Sequence, residues 1–363
     1  MKSISFKVLA CMLFVSSLGM LSCSSPDAAP IPSGSGGIPV DTTPLATEIM
    51  INGYLPDWKP VSFFSSVDFN NLSIAYFAFV VCDANGNLIV GNKEGKMTAM
   101  IAAAHAAQTK AYLSFGGGAY YGSTTFYNMA NNETSRKEFA HQVKVWCLAK
   151  GFDGFDVDWE GLPNSAHGLA HEALMKTLKD TLHSAGLGLA VTVQQGSSAT
   201  NFTQTGIDQA DLVQVMSYDA TGTWGGSPAG QHSSYEFASQ GISYWKNRGI
   251  AASKLVVGVP FYGYQFAPSP CTCTIAYGDI VTAYPTLTDN MDFLLGGTYS
   301  NTYFNGAATI AKKTKLARTQ HTSGIMIWEM SQDATGANSL LTKTVASMAA
   351  DGVSVKKLAN AIP

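Results

Sequence analysis

Asp153-Gly-Phe-Asp156-Val-Asp158-Trp-Glu160 alternates acidic and apolar residues over its last five positions. Side chains of a β-strand point to opposite faces in turn, so Asp156, Asp158 and Glu160 share one face while Val157 and Trp159 take the other. Three carboxylates this close cannot all ionise cheaply. One or two are expected to hold a proton near neutral pH, which is the condition acid–base catalysis needs, and the outermost acid, Glu160, is the natural donor. Two plainer readings compete. A magnesium or calcium site could use acids spaced two apart, but a strand without a returning loop supplies few of the six or more oxygens required. A solvated acidic edge is at odds with the interleaved Phe152, Phe155, Val157 and Trp159.

Outward from this stretch, short β-rich runs alternate with helix-sized segments. The strands are expected at 49–54, 72–80, 111–115, 154–158, 187–193, 212–217, 255–259 and 324–328, and helices at 94–107, 135–149, 167–182, 234–247 and 307–320. The helix after the fourth strand shows its period plainly, with Ala170, Leu174, Leu178 and Leu182 four apart on one face. Eight strands alternating with helices predict an α/β fold, a parallel sheet closed as a (β/α)8 TIM barrel. An open doubly wound sheet is the alternative. In a barrel the chemistry sits where strands end and loops begin, and the acidic stretch is at such an end.

Here the residues carry a resemblance. Asp153-x-x-Asp156-x-Asp158-x-Glu160 resembles the signature of glycoside hydrolase family 18, the chitinases and endo-β-N-acetylglucosaminidases. Ser114-Phe-Gly116-Gly117 is similar to that family's motif at the end of strand three, Met216-Ser-Tyr218-Asp219 to its motif at strand six, Val257–Gly263 to strand seven and Gly324–Glu329 to strand eight. The resemblance implies that Glu160 protonates the glycosidic oxygen while the sugar's own 2-acetamido oxygen attacks C1. It implies further that Asp158 orients the acetamide, Asp156 shares a proton with Asp158, and Tyr218 donates to the acetamido oxygen. Trp328 would floor the sugar, and Tyr54, Phe79, Gln214, Met216 and Asp219 would line the pocket, with Trp224 stacking on sugars beyond the cut. Phe79 and Met216 read equally well as barrel filling, Tyr218, Trp328 and Trp224 have a core reading as well, and Asp153, Ser114, Gly116 and Gly117 read as structural. The family's usual Tyr-Pro after the glutamate is replaced by Gly161-Leu162-Pro163, so an aromatic contact there is expected to be absent. Too few residues separate Tyr264 from the eighth strand for a large α+β insertion domain, which predicts a shallow, open cleft suited to endo-type cutting. The arginine that this insertion often contributes has no clear counterpart.

The expected substrate is therefore a glycan or polysaccharide containing N-acetylglucosamine, chitin first, with the N-glycan core and non-catalytic glycan binding as alternatives. No cofactor and no metal are called for. His167 and His171 are four apart on a helix but lack the intervening Glu of a zinc protease, and read as a surface pair.

Lys2 and Lys7 followed by apolar Val8 to Leu21 read as a signal peptide over 1–22. Small residues before Cys23 resemble a bacterial lipobox, which makes Cys23 the expected lipidation site of a surface or outer-membrane lipoprotein. Residues 23–46, rich in Pro, Ser and Gly, read as a tether and 47–363 as the catalytic barrel. Cys82, Cys147, Cys271 and Cys273 show no metal-ligand spacing and are expected as buried or idle thiols, although a disulfide is open to them in an oxidising compartment. With 22 basic against 25 acidic residues among 363 and no dense basic run, nucleic acid is a poor partner. The membrane is reached only through the lipid anchor, and a monomer is expected.

Overall fold

The computed structural model describes residues 43–266 and 273–358. The proposed signal segment, Cys23, the tether as far as residue 42, and Cys271 lie outside the described residues. The described residues from Leu45 onward form one compact unit.

Eight parallel strands close on themselves: β1 Glu48–Pro56, β2 Ile74–Cys82, β3 Lys110–Gly116, β4 Gly154–Asp158, β5 Gly188–Val193, β6 Leu212–Val215, β7 Leu255–Pro260 and β8 Gly324–Trp328. β1 pairs with both β2 and β8, so the sheet has no free edge between them. Runs such as Leu255-Val-Val-Gly-Val are buried at every position, as befits strands covered on both faces. The inward face carries Tyr54, Tyr76, Tyr112, Ala190, Val256 and Met326 as a packed barrel interior. The outward face meets the helices in a larger apolar layer that includes Phe77, Phe115, Phe155, Val157 and Trp159.

Helices Glu94–Ala106, Glu133–Lys150, Ser165–His183, Tyr235–Asn247 and Ala307–Thr319 form as expected, to within two residues. Asn132, Asn164 and Ser234 each accept a backbone N–H from the first turn of the helix that follows, satisfying donors that would otherwise be orphaned. Ala170, Leu174, Leu178 and Leu182 are all buried.

Three expectations need correction. His171 is fully buried against Phe202 and Trp159, and His167 stacks on Tyr127 at 4.2 Å, so the two are not a surface pair. Burial pushes the His171 imidazole down to about 3, which keeps it neutral. Cys273 is in a disulfide, whereas Cys82 and Cys147 are buried free thiols. Between β7 and β8 the chain builds a miniature antiparallel sheet of Tyr262–Gln265, Cys273–Ala276, Thr302–Tyr303 and Phe293–Leu294, with one helix, Tyr277–Ala283. The large insertion domain is absent among the described residues, as expected, but its place is taken rather than empty.

Candidate active site

The acidic strand behaves as its alternation requires. Val157 and Trp159 are fully buried in the outer layer, and Trp159 packs edge-on against Phe126. Asp156 faces inward and is completely buried, where Ser114 Oγ donates to it at 2.6 Å and the Tyr54 hydroxyl at 2.9 Å. Thr192 Oγ1 lies 3.1 Å from its other oxygen. Gln214 Nε2 donates to the Tyr54 oxygen at 2.7 Å, and Thr192 Oγ1 lies 2.7 Å from the same oxygen. Burial raises Asp156 to about 6 against the pull of these donors.

Asp158, one step nearer the mouth, has a buried Oδ1 without a hydrogen-bond partner among the described residues. Burial first, then the charges of Glu160 and Asp156, hold its carboxyl well above the usual range. Glu160 is raised to about 7, again chiefly by burial and then by the Asp219 charge. Desolvation, more than mutual repulsion, is therefore what keeps protons on this face near neutrality.

Loop 117–122 is tied to the same stretch. Gly117 N–H donates to the Asp158 carbonyl and Gly122 N–H to that of Glu160, both at 2.8 Å. Gly117 has φ +86°, and a Cβ there would strike the Phe79 ring. Phe79 itself is aimed by a slip in the β2–β3 ladder: Ala78 pairs with Ser114 but Val80 with Phe115, which leaves Phe79 outside the register. The freed ring stacks on Trp328 at 5.7 Å, and Trp328 also meets Tyr54 and the exposed Trp58.

Beyond β6, the buried Tyr218 hydroxyl has, among the described residues, only the Met326 sulfur within reach, at 3.7 Å. A thioether is a weak acceptor, so this donor is nearly unspent. Asp219, at φ +60°, accepts from Tyr262 at 2.5 Å and Tyr264 at 3.1 Å, and His232 Nδ1 lies 3.4 Å away. Glu160, Met216, Tyr218 and Asp219 line a small cavity of about 90 Å³ with Gln194 and Gln195. Trp224 is half exposed and crosses Tyr264 edge-on at 6.0 Å. Asp153 stands apart at the start of β4, bonded to Lys110, His105 and the Ala111 N–H. The larger cavity there, about 390 Å³, opens at the opposite end of the barrel from the acids.

The expected gap after the glutamate is filled. Gly161 has φ +64°, and a Cβ at that position would run into the ring of Tyr121, which stands 60% exposed beside Glu160. An aromatic does reach this place, from the neighbouring loop. Thr192, Gln194, Gln195, Tyr262, Tyr264 and His232 were also outside the expected set. Thr192 had a signal, since it shares the inward face of β5 with Ala190. Gln194 and Gln195 had one too, lying just past a strand end. Tyr262 and Tyr264 belong to the miniature sheet, which strand periodicity did not reveal.

Comparison with known proteins agrees with this fold. A solved family 18 chitinase from the chitin utilization locus of Flavobacterium johnsoniae is 27% identical, with a TM-score of 0.75 over 87% of this chain and 99% of that one. A chitinase structure from Bacteroides thetaiotaomicron, 24% identical, shares the fold with a TM-score of 0.73 over 84% and 98% of the two chains. Endochitinase 1 of Metarhizium robertsii is 24% identical over 280 residues, 64% of this chain and 63% of that protein. This chain therefore spans less than two thirds of that curated relative. The family model for glycosyl hydrolases family 18 matches residues 50–333, from the first barrel strand to just past the eighth, and the chain belongs to that family.

Proposed function

We propose that this protein is a chitinase-type glycoside hydrolase that cuts β-1,4 links between N-acetylglucosamine units with retention, using the substrate's own acetamide as nucleophile. The observation that carries the reading is the buried Asp158 Oδ1, unpartnered among the described residues, together with the nearly unspent hydroxyl of Tyr218, a residue close enough to feel the Asp158 charge. One acceptor and one donor are what an amide group needs, its N–H going to Asp158 and its oxygen receiving the tyrosine proton. Asp158 and Glu160 rise from the same face of one strand, so they are poorly placed to flank a glycosidic bond as acid and nucleophile.

In this reading Glu160 gives its proton to the glycosidic oxygen as the acetamido oxygen bonds to C1, and the leaving sugar departs with that proton. The oxazolinium ion carries positive charge opposite Asp158, with Asp156 behind it, where preorganised negative charge is most effective. Water, losing a proton to Glu160, then opens the ring and restores both groups. Trp328 supports the sugar from below, and Trp224 receives the chain farther along. Cys23 as a lipid attachment point on a tether to residue 46 belongs to the same proposal.

Incubation with chitotetraose and with a biantennary glycoprotein, with products identified by mass and by anomeric NMR, tests it. β-Chitobiose is the expected product. An α-anomer as first product overturns the mechanism, and release of N-glycans with one sugar left on the protein overturns the substrate.

Two further results are expected. The kcat/KM profile should fall on the alkaline side near pH 7, because Glu160 must be protonated to act and is held at about 7. On the acid side it should fall as the buried aspartates take up a second proton, with Asp156 near 6. Both limbs belong to the coupled acids together. Tyr121→Ala should raise KM for chitohexaose roughly three- to tenfold, the range expected if one aromatic stack contributes about 0.5–1.5 kcal/mol. An unchanged KM would remove Tyr121 from the binding surface.

A further inference from the structure

Lys313, on the helix Ala307–Thr319, is fully buried. No carboxylate lies within ion-pairing distance of it among the described residues. Its three protons go to neutral oxygens instead: Ser233 O and Oγ, each at 2.6 Å, and Asn305 Oδ1 at 2.7 Å. Burying an ammonium is costly, and this site offsets the cost with hydrogen bonds, aided by the Asp292 and Glu236 charges from beyond ion-pairing distance. Burial pushes the lysine down to about 7.

An ammonium only donates, so its contact with Ser233 Oγ fixes the direction of the next bond. The serine must send its own proton elsewhere, and it donates to Ser217 O at 2.6 Å. Ser217 immediately precedes Tyr218 and Asp219. One residue back, the His232 carbonyl accepts from Ala220 N–H at 3.0 Å while its imidazole rests on Asp219. Segment 231–233 thus backs residues 217–220 on both sides of the two site residues. Lys313 holds that segment together with Asn305, whose amide donates to Ser233 O at 2.9 Å, and with Phe304 O, which accepts the Gln231 amide at 2.7 Å, but only the lysine donates to the Ser233 hydroxyl among the described residues.

We infer that Lys313 is a positioning residue for Tyr218 and Asp219, acting through Ser233 and the Ser217 carbonyl. The inference rests on the proposed chitinase reading. Without the ammonium, the Ser233 hydroxyl is free to turn away, and the end of β6 loses a fixed tie. The effect should fall on turnover, because Tyr218 aligns the reacting acetamide, whereas sugars bound by Trp328 and Trp224 are still held.

The test is steady-state kinetics on chitotetraose per folded molecule, alongside melting temperatures, for Lys313→Met, Ser233→Ala and the double variant. Lys313→Met should lower kcat on the order of tenfold with KM within about twofold, as a small misplacement of a reacting group does. Ser233→Ala, which leaves the lysine on Ser233 O and Asn305, should lower kcat roughly three- to fivefold. The double variant should be no slower than Lys313→Met. A purely structural lysine would lower the melting temperature while leaving kcat per folded molecule within twofold, and that result overturns the inference. If Lys313→Met does not fold, Ser233→Ala decides alone. Wild-type enzyme that releases no chitobiose defeats the underlying reading, and this one with it.

Discussion

Glu160→Gln should cut chitotetraose about 10²- to 10⁴-fold more slowly than wild type, the range a positioned general acid contributes. The amide matches the carboxyl in size, and loop 117–122 holds the Glu160 backbone through its carbonyl rather than its side chain. KM should therefore move little. What is lost is a transferable proton that burial and the Asp219 charge keep in place up to about pH 7. An aryl glycoside whose leaving group departs without protonation should suffer much less in its first step. Equal losses for aryl and sugar leaving groups would mean that Glu160 is not the donor, and full activity would refute the mechanism.

Asp158→Asn should lower kcat by about 10²- to 10³-fold, since it removes the charge opposite the developing cation. The same substitution should stabilise the fold. Asp158 has a folded pKa raised above its unfolded value, so whatever stability it contributes is present below about pH 4 and is lost as pH rises through the folded pKa. Asparagine has no such dependence. Melting temperatures of variant and wild type should coincide near pH 4 and diverge by about 2–4 °C per kcal/mol recovered as pH approaches 8, with the variant higher. A variant that melts lower than wild type at pH 8 would show that the carboxylate is compensated by partners in the fold.

Much of the architecture was legible because barrel strands are buried on both faces and announce themselves as apolar runs, and because alternation alone sorts Asp156, Asp158 and Glu160 from Val157 and Trp159. What escaped has physical reasons. Strict alternation from Tyr76 and Ala78 turns Phe79 outward, and only the ladder slip brings it to Trp328. The four-residue spacing from His167 suggests a surface pair, yet His171 stands three before Leu174 and seven before Leu178 on the buried face of the helix, where Trp159 and Phe202 cover it. The Tyr262 and Tyr264 contacts to Asp219 join residues more than forty apart through strands two to four residues long, too short for periodicity to register. Nothing in the sequence around Cys82, Cys147 and Cys273 separates the disulfide-bonded Cys273 from the two buried thiols.

The ring of Tyr121 over Gly161 also constrains the order in which this site could have arisen. A side chain cannot enter position 161 while the tyrosine occupies the space, and the left-handed backbone there favours glycine in any case. A lineage exchanging one arrangement for the other must pass through an ancestor with neither aromatic, or change both codons together. Homologues should therefore carry a bulky residue at one of these two positions and a small one at the other, and ancestral intermediates with two small residues should be rare and short-lived.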